Sequence, residues 1–333
     1  MKVEKCRKRF GVLFVTAVCV AVLLMAGTVS AAAWPEKGKI LTMYVASGAG
    51  GGSDMAGRMI AQVLEKELDV KVVVVNKGGA GSQIGVTEYL SKAGTDGYTI
   101  LAANTPVLIS PYMDPSRKAT YNLGKDIQLA ASYGFSPCAV AVKKGGKYKS
   151  LKDLVEAARA NPGKIKGTAS GPLVQNDLAM VLLNKVAGIQ IARMYFDQQG
   201  EQRAALLGGQ VDAEFNNDFE LIGGQKSGEI ETLAIWDKEP AAVLPGVKTG
   251  ESQGYPVYMA AAYGLGYKTG TPQEVLDTVE AAVIRGAKKP ENVELFKKIG
   301  LNVKVMTGKE YRVYWNGIEA VVGDVIKSMP VKQ

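Results

Sequence analysis

Gly48, Gly50, Gly51 and Gly52 fall within five residues, between an apolar run that ends at Val45 and the pair Ser53-Asp54. A glycine-rich passage from strand to helix leaves the first backbone N–H groups of the helix unpaired at its positive dipole end, an arrangement suited to an anion. Gly78 to Gly85 (GGAGSQIG) and Ser170-Gly171-Pro172 have the same character. Any one such loop is better explained as a tight turn or a close helix approach; three loops in one cleft shift the balance toward a binding site. The candidate contacts within the loops are Gly50, Gly51, Gly52, Ser53, Gly79 and Gly171. Ser47, Asn104, Thr105, Ser170, Gln175, Phe196 and Asn216 are the side chains that can set specificity. Arg203 can meet a distal carboxylate as a bidentate fork, its plainer reading being an exposed helix arginine. Asp54 reads equally as a ligand contact and as an acid favoured in a first helical turn, and Asn76 equally as a contact and as a turn cap.

The composition removes most catalytic chemistry. The chain has no histidine, which eliminates Ser-His-Asp and Cys-His nucleophilic arrangements and the commonest metal ligand. No acidic pair stands out, so neither a metal nor a cofactor is expected, and the reading is of a binder rather than an enzyme. A dinucleotide enzyme is the rival from another class. It would need an acid ending the second strand, where this chain has Asn76, and a third motif glycine, where it has Ser53.

The first residues carry Lys2, Lys5, Arg7, Lys8 and Arg9, then an apolar stretch from Phe10 to Ala26 and small residues around Ala31 and Ala33. That is the pattern of a cleavable secretory signal, with cleavage expected after Ala31 or Ala33 and a periplasmic or other extracytoplasmic location for the mature chain. Cleavage takes five basic residues and one acidic residue, lowering the net charge from +8 to +4. The remaining lysines are scattered and aromatics are sparse, which does not favour nucleic acid as a partner. Cys6 and Cys19 leave with the leader, so Cys138 has no intrachain disulfide partner and reads as a buried small hydrophobe.

Strand and helix alternate along the rest. Ile40–Val45 is expected as a strand, Asp54–Leu68 as a helix, and the valine-rich Val70–Val75 as a strand buried on both faces of a parallel sheet. A helix through Leu90 and a strand at Thr99–Ala103 complete the first unit. The second holds strands at Ala139–Val142, Ile165–Ala169, Arg193–Phe196 and Thr232–Ile235. Its helices start at Leu151, capped by Ser150 with Asp153 reaching back, at Val174, and at Glu201. A strand follows at Ala260–Leu265. Then come a helix begun by Thr271 as cap and Pro272 as first residue, a helix at Glu291–Ile299, a strand at Val303–Met306, and a last helix capped by Thr307. Crossings near Gly134 and Tyr258 predict an α/β protein of two lobes joined by two strands, with residues 34–134 and 257–333 in one lobe and 135–256 in the other. A cleft between hinged lobes is the natural ligand site.

The stretches WPEK at Trp34, GAGGGSD at Gly48, VVVVNKGGAGSQIG at Val72, AGTDGYTIL at Ala93, LLGGQVDAEF at Leu206 and GTPQEVLDTVEAAV at Gly270 resemble, in order, the Bug family of extracytoplasmic solute-binding proteins. The resemblance implies a Venus-flytrap, periplasmic-binding-protein fold with a mostly parallel, helix-flanked sheet in each lobe. It implies a monomer that closes on a small carboxylate, such as a di- or tricarboxylate, an acidic amino acid or an aromatic acid. The partner it implies is a two-component permease of a tripartite tricarboxylate transporter; a secreted sensor handing its closed form to a receptor would use the same surface. The chain departs from the family pattern at Ala46-Ser47, where Pro-Phe is common, at Val174, where a hydroxyl is usual, and at Tyr195-Phe196-Asp197-Gln198, where Pro-Tyr-Lys-Gly is usual.

Overall fold

A computed structural model describes residues 34–196 and 198–328, so the leader and its cleavage point lie outside the described residues. In chain order the elements are β1 (Ile40–Val45), α1 (Gly52–Leu68), β2 (Lys71–Asn76), α2 (Gln83–Lys92), β3 (Thr99–Ala102), α3 (Ser110–Met113), α4 (Leu123–Asp126) and β4 (Ile127–Lys143). Next come α5 (Leu151–Ala160), β5 (Lys166–Ala169), α6 (Gln175–Ala187), β6 (Ala192–Tyr195), α7 (Gln199–Leu207), β7 (Ala213–Asn217), α8 (Asp218–Ser227) and β8 (Ile230–Ile235). The chain ends with β9 (Ala260–Lys268), α9 (Gln273–Ala287), α10 (Pro290–Lys298), β10 (Met306–Thr307) and α11 (Gly308–Ser328).

The molecule is two-lobed, and β4 belongs to both sheets. Its first half pairs antiparallel with β9, from Ile127 opposite Lys268 to Pro137 opposite Ala260. Its second half pairs antiparallel with β7 and β8, beginning at Cys138 opposite Asn217 and at Ala139 opposite Ile235. Parallel blocks flank this shared strand: β2-β1-β3 in the first sheet and β6-β5-β7 in the second. In each block the parallel order brings the loops after β1 and after β5 to the strand ends where α/β proteins seat ligands. The returning chain runs beside β4, with the Cys138 N–H donating to the Met259 carbonyl and the Met259 N–H to the Trp236 carbonyl.

The apolar stripe of α1 (Ala56, Ile60, Val63, Leu64) is buried, and α11 buries Tyr311, Trp315, Ile318 and Val322 in the same rhythm. Each large side chain removed from water in this way contributes about 1.5–3 kcal/mol, which fixes the helices and therefore the loops that precede them. Cys138 is buried and free, and burial pushes its thiol well above the ordinary value.

Three expectations need correction. The valine run of β2 is an edge strand, with Val73 38% exposed, because a string of branched residues reports strand propensity and not position in the sheet. The N-cap of α9 is Pro272, while the Thr271 hydroxyl donates to the Lys268 carbonyl. Ser150 caps α5 by accepting from the Asp153 N–H, with the Asp153 carboxylate reaching back to the Lys149 and Ser150 N–H groups as expected, whereas the strand expected at Val303–Met306 is only Met306–Thr307. The extent of β4, and all of β7 and α8, went unexpected.

Candidate functional site

A cavity of about 170 Å³ lies between the two sheets, lined by Gly52, Ser53, Asn104, Thr105, Val107, Ser170, Val174, Gln175, Asn217, Glu220, Ala261 and Tyr263. Two helix N-termini open onto it. α1 begins behind Gly51, which has no side chain to cap it, and α6 begins behind Val174, which also provides no side-chain cap. In α1 the first N–H groups lack the usual Ser, Thr, Asp or Asn acceptor, and in α6 those of Gln175 and Asn176 lack one, the Asp177 N–H being taken by Asn176 Oδ1 at 3.1 Å, so a group in the cavity can take the open places. Val174 itself offers these donors no acceptor.

An acid in the first turn of each helix is turned away from this cavity. Asp54 accepts from the Gly50 N–H at 2.8 Å, pairs with Arg58 at 3.0 Å and accepts from Asn76 Nδ2 at 3.0 Å. Burial opposes its ionisation, yet these donors together hold its carboxyl below the ordinary value. Asp177 accepts from the Leu173 N–H at 2.8 Å, from Tyr195 Oη at 3.1 Å and pairs with Arg193 at 3.3 Å. It is more deeply buried, and desolvation outweighs its donors, so its carboxyl is raised.

The remaining groups are neutral donors and acceptors with one exception. The Asn104 side chain is 3% exposed and its Oδ1 is buried without a hydrogen-bond partner. Thr105 Oγ1 accepts from the Ala262 N–H at 3.2 Å. Burial pushes the Tyr263 hydroxyl above its ordinary value, so it stays protonated, and it lies beside the Cα of Gly52: a Cβ there would come within 3.5 Å of Tyr263 Oη and 3.3 Å of Phe219. Gln175 Nε2 donates to Asn217 Oδ1 at 3.2 Å, and Asn217 Nδ2 donates to Glu220 Oε2 at 3.0 Å. Among the described residues, Glu220 is the only charged one lining the cavity.

Of the sequence-predicted contacts, Gly52, Ser53, Asn104, Thr105, Ser170 and Gln175 come together around this space. The others lie beside or beneath it. Ser47 accepts through its carbonyl from Asn76 Nδ2 at 3.4 Å, and Gly50 donates to Asp54. Gly51 precedes α1 and Gly171 lies in the loop after β5. Gly79, at φ +116°, packs against Ile84 in the loop before α2. Phe196 packs into the second lobe's apolar cluster. Asn216 lies under the floor with both ends engaged, donating to Gln202 and Glu214 and accepting from Asn176. Arg203 is neither in the cavity nor an exposed helix residue: it is 11% exposed and forks Glu214, Nε to Oε2 at 2.6 Å and Nη2 to Oε1 at 3.3 Å.

Val107, Val174, Asn217, Glu220, Ala261 and Tyr263 were not foreseen. Glu220 had a signal: Asn217-x-x-Glu220 is a capping-box spacing, and the structure forms it, with Asn217 N–H donating to Glu220 Oε2 at 3.1 Å. A larger groove, about 1090 Å³, runs beside Gln273, Asp277, Glu280, Lys309 and Arg312, but its charges are mixed and it receives no pair of open helix N-termini.

Residues 56–330 match the family described as the tripartite tricarboxylate transporter family receptor. BugT of Bordetella pertussis is 26% identical over 325 residues, covering 95% of this chain and 98% of that protein. Among solved structures, Rpa4515 of R. palustris with adipate superposes at a TM-score of 0.76 with 22% identity, covering 88% of this chain and 97% of that one. MatC of Rhodopseudomonas palustris with bound malate superposes at 0.72 with 21% identity, covering 86% and 99%. These structures share the two-lobed fold, and the matched family consists of solute receptors rather than enzymes. The chain belongs to the tripartite tricarboxylate transporter receptor family.

Proposed function

We propose that this protein is an extracytoplasmic receptor that closes two lobes on a small carboxylate and delivers it to a two-component membrane permease. The observation that carries this reading is the convergence of the uncapped N-termini of α1 and α6 on one cavity. A carboxylate accepts hydrogen bonds only, and bonds from backbone N–H groups to a charged acceptor are worth about 1.5–3 kcal/mol each. The cavity of about 170 Å³ has the volume of roughly five or six waters, suited to an acid of a few carbons. The relatives solved with malate and with adipate hold dicarboxylates, which supports the ligand class.

In this reading residues 34–134 with 257–333 form one lobe and 135–256 the other, hinged at β4 and at the segment leading into β9. The leader directs export and is removed, and a monomer presents its closed face to the permease. Thermal unfolding of the mature protein, stripped by unfolding and refolding, tests it against a panel of acids and their amides. A ligand at a hundred times its Kd adds about 2.7 kcal/mol of stability. A raised midpoint with an acid and none with its amide supports the reading; no shift with any acid overturns it.

A further inference from the structure

Glu220 is an unusual residue to find in a carboxylate cleft. Its Oε2 is held by the Asn217 N–H and Nδ2, while its Oε1 accepts no hydrogen bond among the described residues. Among the described residues, no lysine or arginine lines the cavity to offset it. Its charged neighbours within the lobe are Asp218 and Glu214, and Arg203 is already committed to Glu214. Burial pushes the Glu220 carboxyl up, and the Glu214 charge adds to that, so a cation placed beside it would recover free energy that the unliganded protein forgoes. Asn104, on the same wall system, adds a second acceptor without a partner, its Oδ1 buried in a side chain only 3% exposed.

One acceptor without a donor, Glu220 Oε1, stands in a cavity that also receives two helix N-termini, and a second, Asn104 Oδ1, lies buried in the cavity wall. The acceptors call for a ligand donor, the N-termini for a ligand anion. We propose that Glu220 makes this receptor selective for α-amino acids, the ligand's carboxylate meeting the N-termini of α1 and α6 and its ammonium group meeting Glu220 and Asn104. This rests on the reading of the cleft as a carboxylate site and narrows it. An ammonium carries three donors and no acceptor, which matches unpartnered oxygens better than a second carboxylate does. A second carboxylate at that wall would face Glu220 at close range, a like-charge contact that costs affinity.

The test compares amino acids with the acids that lack only the amine: alanine with propionate, aspartate with succinate, glutamate with glutarate, by titration calorimetry on the refolded protein and on Glu220→Gln. Glutamine preserves the capping box, so the variant is expected to fold, and its circular dichroism and unfolding midpoint check that. The amino acid of at least one pair is expected to bind the natural protein 10- to 100-fold more tightly than its partner, the span of one charge-assisted hydrogen bond. Glu220→Gln is expected to erase that preference. A folded Glu220→Gln that keeps it, or a natural protein that prefers the amino acid in none of the three pairs, overturns the assignment of Glu220 while leaving the carboxylate site standing. Binding of none of the six overturns the amino-acid class, and the acid and amide panel then decides separately whether the site itself stands.

Discussion

Asp54 and Asp177 occupy the same position in two different helices, each the third helical residue, and each accepts at 2.8 Å from the N–H of the residue just before its helix's N-cap, Gly50 and Leu173. Both carboxylates are also paired with an arginine, Arg58 and Arg193, so the negative charge nearest each helix start is spent on folding its own loop. The open N–H groups ahead of them are left to the cavity.

The two acids differ in burial, and their pH signatures should differ in sign. Asp54 is held below its ordinary value, so it contributes stability above about pH 4 that is lost as pH falls through its lowered value. Asp54→Asn should therefore cost about 0.5–1 kcal/mol at pH 7 and nothing in acid. Asp177 is raised, so its relative contribution is present in acid and lost as pH rises. Asp177→Asn should be neutral or stabilising at pH 7. Urea unfolding of both variants at about pH 2 and at pH 7 decides, and an equal loss for both at pH 7 would contradict the assignment.

Asp218 starts α8 and reaches across to the other sheet's elements, accepting from Ser136 Oγ at 2.7 Å, from Asn302 Nδ2 at 3.3 Å and from the Phe219 N–H at 2.8 Å. Burial, reinforced by Glu220, pushes its carboxyl from 3.8 to about 7 despite those donors. A raised acid favours the folded state in its protonated form, so stability should fall as pH rises from about 4 to 7. Asp218→Asn should flatten that slope, read as the unfolding midpoint against pH. An unchanged slope would place the titration elsewhere.

Gly51 is extended, at φ −81°, and a Cβ there meets nothing closer than Gly48 O at 4.0 Å. Gly51→Asp should fold and gain a few tenths of a kcal/mol, since aspartate is a favoured N-cap. The same carboxylate takes the N–H groups assigned to ligand, so affinity should drop about a hundredfold or more, a loss of some 3 kcal/mol. Unchanged affinity in the folded variant would remove α1 from the site. Gly79→Asp is a poor substitute, because φ +116° and a 2.7 Å contact with Ile84 would strain the loop whatever the ligand does.

Among the described residues Asn104 Oδ1 has no hydrogen-bond partner, so Asn104→Ala should cost the unliganded protein less than about 1 kcal/mol while lowering ligand affinity about tenfold. The two readouts are the unfolding midpoint without ligand and the calorimetric Kd. A large stability loss with unchanged Kd would make Asn104 a structural residue.

The glycine loops were legible because Gly48 to Gly52 and Ser170 to Pro172 announce a backbone geometry that few other sequences need. Ser53, Asn104, Thr105 and Gln175 follow from their distance to the ends of β1, β3 and β5. What stayed hidden was pairing. Arg203 looks like a surface residue until Glu214, eleven positions away on a different element, is brought within 2.6 Å. Tyr263 and Ala261 sit in β9, whose two faces are both buried, so no alternation marks which side meets the cleft. Residues 127–138 of β4 were missed for the same reason, with all but one of them buried or nearly so.

The central claim is that the first amides of α1 and α6 hold the ligand's carboxylate together. Amide proton–nitrogen spectra of the stripped protein, titrated with whichever acid raises its unfolding midpoint, test it residue by residue. The account predicts that the Gly52, Ser53 and Gln175 signals shift along one binding curve with the acid and stay in place with the corresponding amide. Saturable binding that moves the signals of only one helix start, or of neither, would contradict it.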